Sequence, residues 1–213
     1  MYNTDTPFPV KQNNYETAYR EAAHLLGRSS ITDIARRSGA VCVETGSGKA
    51  LALPFLGDEL LVTHPEISVN YNNKNDGVPL WARIIALHYL NAARGTPKTG
   101  IQRTFQDLEG GRAYHPAFLR RTIIPLLDVF GDDLEEFKRA GLRAGGTSIS
   151  IGDYALSFQA FPSVPLAFVL WKGDDEFPAS GSVIFDSSIA DYLSTEDIAV
   201  LCNMIALRII KNK

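Results

Sequence analysis

Cysteine, histidine and methionine are scarce in this 213-residue chain, which has two Cys, four His and two Met. Two cysteines are too few for a disulfide framework. Cys42 and Cys202 each sit among apolar neighbours and are expected as buried free thiols in a reducing compartment. Four scattered histidines and two distant cysteines offer no zinc ligand set, and HExxH, CxxC and GxSxG are all missing, so no metal site is expected from motifs. Charge of one sign is missing too. With 21 basic and 24 acidic side chains the net charge is −3, which excludes a broad field for nucleic acid or anionic lipid. No apolar run approaches the ~20 residues that span a bilayer. The opening MYNTDTPFPVKQNN lacks a basic start followed by an apolar run, so it does not read as a secretory signal. Together these absences predict a soluble, cytoplasmic protein without a membrane or nucleic-acid partner.

What is present predicts an α+β protein. Strands come in runs and helices in runs, without βαβ alternation, which points to a mainly antiparallel meander sheet with helices packed on it. The length fits one domain over 1–213, with a helical and hairpin subdomain over 13–77 and a main α+β part over 78–213. Residues 1–12 read as an arm. Helices are expected over 14–26 and 31–37, the second capped by Ser29-Ser30 and closed by Gly39. SITDIARRSGA within this stretch imitates the first helix of a DNA-binding helix-turn-helix. The β-branched Val41-Cys42-Val43 that follows predicts a strand, where a DNA reader needs a recognition helix. Gly46-Ser47-Gly48-Lys49 lacks the glycine spacing and the final Ser or Thr of a phosphate loop, and reads as a hairpin turn. Further strands are expected over 49–56, 60–64 and 67–71, and the polar NYNNKNDG over 70–77 as a surface loop.

A helix from Pro79 to Ala93 should carry Trp81, Ile84, Ile85, His88 and Ala92 on its apolar face. A short strand is expected around Arg103-Thr104-Phe105. A helix over 116–130 should be kinked or divided by Pro125, and another should run from Asp132 to Arg143. Ser194 caps a last helix that is apolar almost all round, so this C-terminal helix should be buried, against another helix or a second copy in a homodimer.

The densest chemistry lies in FQAFPSVPLAFVLWKGDDEFPASGSVIFD, residues 158–186. Leu166–Trp171 predicts a strand covered on both faces. Asp174, Asp175 and Glu176 follow in a turn between Trp171 and Phe177, with Asp186 closing the next strand. Clustered carboxylates suit magnesium or calcium, yet neighbours on a strand face opposite ways and cannot all converge. A second constellation is His88 and His115 with Arg103, Arg112 and Tyr114; arginine matches the geometry of carboxylate and phosphate ligands.

The pattern also resembles a family. Leu87-His88-Tyr89-Leu90, Gly110-Gly111-Arg112-Ala113-Tyr114, Pro125-Leu126-Leu127, Phe130-Gly131, Gly145-Gly146, Val164-Pro165-Leu166, Leu170–Pro178, Phe185-Asp186, Tyr192-Leu193 and Glu196-Asp197 are similar to a domain-of-unknown-function family of anaerobic bacteria and archaea. The resemblance spans about Ala40–Leu207. It implies no activity. Some family members are fused to an iron–sulfur domain, so it implies an anaerobic setting and a redox protein as partner. Two distant cysteines cannot hold such a cluster here. No cofactor class is marked. The function expected is an accessory module that binds a small molecule, cofactor or protein partner through Trp171–Pro178. The alternatives are a magnesium- or calcium-dependent enzyme using Asp174, Glu176, Asp186 and His88, and a DNA-binding regulator using residues 29–39.

Overall fold

The computed structural model describes residues 12–46 and 48–213; the arm read over 1–12 lies outside them but for its last residue, which begins a helix. Six helices and nine strands are described. They form a four-stranded sheet ordered β1-β2-β3-β4 and a five-stranded sheet ordered β5-β9-β8-β7-β6, with antiparallel pairing. The chain divides into two compact units. One contains the chain through Lys98 with Phe161–Ser163 and Asp191–Leu193. The other contains Thr99–Ala160, Val164–Ala190 and Ser194–Lys213.

The first unit begins with α1 (Gln12–Gly27) and α2 (Ile31–Ser38). Ser30 caps α2 by accepting from Asp33 N at 3.4 Å. Gly39 ends the helix at φ 73°, a left-handed turn that also has no room for a side chain: a Cβ there would lie 2.9 Å from Pro162. The strand expected next is β1 (Val41–Thr45), so α2 leads into a sheet and not into a recognition helix. β2 (Gly48–Phe55), β3 (Asp58–His64) and β4 (Val69–Tyr71) complete a meander, with Thr45 opposite Gly48 across the first hairpin.

One sequence expectation fails on β1. Cys42 is exposed, not buried, and Val41 is 60% exposed. The physical reason is position: β1 is an edge strand and, among the described residues, pairs with β2 alone, so apolar residue type alone does not bury it.

The helix α3 (Leu80–Ala92) is the core of this unit. Its expected apolar face is buried only in part, at Ile84 and Ile85. Trp81 and His88 are half-buried and Ala92 is exposed, while Ala82, Ile84 to Leu87, Tyr89 and Leu90 are buried. Tyr89 is the polar group that fixes it. Its hydroxyl donates to Ser38 O at 2.6 Å and accepts from Ser163 N at 3.3 Å, and its ring stacks on Phe161 at 4.2 Å. Burial pushes the phenol pKa up to about 12, against the weaker opposing pull of Ser163.

The second unit places α4 (Gly111–Phe130), α5 (Leu134–Arg143) and α6 (Thr195–Lys211) with the five-stranded sheet of β5 (Gln102–Thr104), β6 (Thr147–Ile149), β7 (Tyr154–Phe161, whose last residue groups with the first unit), β8 (Val164–Trp171) and β9 (Ser180–Asp186). β8 is flanked by strands on both sides and buried from Leu166 to Leu170, as its unbroken apolar run predicts. α6 packs against α4 and α5 and is buried from Ile198 through Ala206 except Val200.

Pro125 was expected to kink or divide a helix that began at Pro116. Instead α4 starts five residues earlier and runs unbroken through both prolines. A proline at 125 cannot donate to the carbonyl of Arg121 four residues before it. Asn203 of α6 reaches across and donates its side-chain N–H to that carbonyl. This explains why an otherwise apolar helix buries an asparagine.

Candidate functional site

The acidic connection between β8 and β9 is built as a turn. Asp174 Oδ1 accepts from Glu176 N at 2.9 Å and Phe177 N at 2.8 Å, while Asp174 N donates to Phe177 O at 2.8 Å. The Phe177 and then the Glu176 amide hold the Asp174 carboxyl below the usual carboxylate range. Asp175 and Glu176 are exposed, and Trp171 is half-buried where β8 ends. Phe177 is 68% exposed, more than any other large apolar side chain among the described residues.

Asp186 does not join this cluster. It stands at the opposite end of the seven-residue strand β9, about 20 Å along at the rise of a β-strand. There its carboxylate accepts from Thr99 N and Thr99 Oγ1 at 3.0 Å each, from Gly100 N at 2.7 Å and from Ser188 N at 2.9 Å. Partial burial opposes ionisation, but these donors outweigh it and hold the pKa far below the ordinary value. Asp186 is a clamp for the Thr99–Gly100 segment. His88 belongs to α3 of the other unit. Among the described residues no three His, Cys, Asp or Glu side chains converge in a way that could hold a metal ion.

The second constellation is better assembled. β5 runs straight into a 3-10 turn, Phe105–Asp107, and then into α4. Thr104 and Asp107 cap that turn: Asp107 Oδ2 accepts from Thr104 N at 2.8 Å and from its hydroxyl at 3.0 Å. Those two bonds, with smaller help from Arg103 and Arg112, keep the Asp107 carboxyl ionised below its usual range. Gly110 takes a left-handed φ of 69°, and Gly111 packs so tightly that a Cβ would fall 2.0 Å from Phe105 O.

The result is an open cleft of about 500 Å³ lined by Arg103, Gln106, Asp107, Leu108, Gly110 and Arg112, with Ala113 at its edge. Neither arginine closes an ion pair among the described residues. Two guanidinium charges against the one Asp107 carboxylate leave one positive charge in surplus. A second cavity of about 210 Å³ lies next to it, with Thr104, Gln106, His115, Phe118 and Ser182 in its wall. Gln106 Nε2 lies 3.2 Å from His115 Nε2; the amide is the donor, so His115 accepts there. Tyr114 lines neither cavity. Its hydroxyl accepts from Arg121 Nη1 at 2.6 Å.

Sequence reasoning named Arg103, Arg112 and His115 but missed Gln106, Asp107, Phe118 and Ser182. The Thr104-x-x-Asp107 spacing of a capping box was the available signal. Reading Arg103–Phe105 as a strand hid it.

The family model described as Domain of unknown function (DUF3786) matches residues 30–208, and the chain belongs to that family. No curated protein and no solved structure matches it. Among the described residues no helix is long and apolar enough to cross a membrane.

Proposed function

We propose that the chain is a cytoplasmic accessory module that binds a small anionic molecule in the cleft between the 3-10 turn and the start of α4. The observation that carries this reading is the pair Arg103 and Arg112, both uncommitted, facing one concavity beside a helix N-terminus. Phosphate or carboxylate is the chemistry that a guanidinium fork and first-turn N–H groups receive. The metal-dependent enzyme reading finds less support, because β9 separates Asp174 and Glu176 from Asp186.

The test is calorimetric titration with inorganic phosphate at low ionic strength. Saturable, salt-sensitive binding is expected, weakened roughly tenfold or more by Arg112→Ala, the scale of one charge-assisted hydrogen bond. Absence of binding, or binding indifferent to both arginines, overturns the proposal.

The connection 171–178 supports a second contact, with a protein. Phe177 is exposed beside Asp175 and Glu176, an apolar anchor with an acidic rim. A partner with a basic-edged apolar pocket fits it, and the family resemblance favours a redox protein from an anaerobic setting. Phe177→Ser should abolish such capture at unchanged melting temperature; capture that survives it argues against this contact.

A further inference from the structure

We infer that the ligand has two parts, an anionic group seated by Arg103 and Arg112 and a planar ring seated against His115, above the buried Phe118. The inference rests on the anion reading above and adds the chemical class of the body that carries the charge.

The two cavities adjoin at Gln106, the one residue that lines both. The ends differ in chemistry. At the Arg103–Arg112 end, two guanidinium groups and one carboxylate line the wall. At the other end no charged side chain lines the wall. Its floor is aromatic: Phe118 stacks on Phe105 at 4.0 Å with only 6° between the rings, and both are almost fully buried. The His115 ring lies 6.4 Å from Phe118 and 21° from parallel. The contact of Gln106 with His115 Nε2 holds the edge of the ring and leaves its flat face to a ligand.

Ser182 lines the same wall, with a hydroxyl group suited to the edge of a heteroaromatic ring. A free inorganic anion would use only one of these cavities, and an uncharged aromatic only the other.

Titrations of the full chain with inorganic phosphate, phenyl phosphate and phenol separate the possibilities. Phenyl phosphate is expected to bind at least tenfold more tightly than phosphate, and phenol to bind least. Arg112→Ala should weaken both phosphates together. His115→Ala removes a partly exposed ring, so the fold should persist, as an unchanged melting temperature would verify. It should bring phenyl phosphate down to the affinity of phosphate and leave phosphate itself unchanged.

Equal affinity for phosphate and phenyl phosphate, or a phenyl phosphate advantage that survives His115→Ala, overturns the two-part ligand while the anion site stands. No binding of either phosphate overturns both.

Discussion

The side-chain amide of Asn203 donates to the main-chain carbonyl of Arg121, the acceptor that Pro125, four residues on, has no N–H to serve. This one bond ties α6 to the middle of α4. The amide oxygen of Asn203 has no partner among the described residues, so the side chain acts there as a donor.

Asn203→Leu should therefore lower stability by about 1–2 kcal/mol, the cost of a buried acceptor losing its donor less the gain from removing an unpaired oxygen. In Pro125→Ala the helix supplies its own donor, and the same substitution at 203 should then cost less. Urea unfolding of the two single variants and the double variant measures the coupling.

Gly111→Ala should destabilise the second unit by about 1–3 kcal/mol or more, because the added methyl meets a backbone oxygen that cannot swing away. Gly110 has open space around it, so Gly110→Ala should lose only the cost of the left-handed turn, about 1 kcal/mol. Thermal melting of the two variants should rank them in that order.

Asp186 links stability to pH. Its folded pKa lies below the unfolded value of roughly 3.9, so the folded state binds fewer protons there. The stabilisation is complete above that unfolded value and drains away as the pH falls from about 4 toward the folded pKa. Asp186→Asn should cost about 1–3 kcal/mol at pH 7. It should also flatten the loss of stability below pH 4, as followed by urea midpoints. Equal acid sensitivity of wild type and variant would contradict the clamp.

The two thiols should differ sharply. Cys42 is exposed on the edge strand, whereas complete burial pushes the Cys202 thiol well above its usual pKa and shields it. A chromogenic disulfide reagent should titrate one thiol per folded chain and a second only after denaturation. Cys42→Ser should abolish the rapid phase.

Much of the fold was legible in the sequence because its signals are local. Ser30 and Ser194 cap the helices they were expected to cap, and β8 and α6 fall where their apolar patterns put them. What stayed hidden depends on distant neighbours. Pro125 reads as a breaker until Asn203 is known to lie against it. Cys42 reads as core until β1 is known to be an edge. The candidate cleft was half legible for the same reason: Arg112 and His115 stand out by type, but Gln106 and Ser182 matter only once β5, β9 and α4 meet.

The pairing of β5 with β9 sets an order of assembly. Arg103 lies opposite Phe185, so the first strand of the larger sheet waits for the last one to emerge from the ribosome. Until then β5, which carries Arg103, has no neighbouring strand to lie against. Ligand capture at that cleft would thus report that β9 has already paired with β5, making the site a late product of folding whatever molecule it holds.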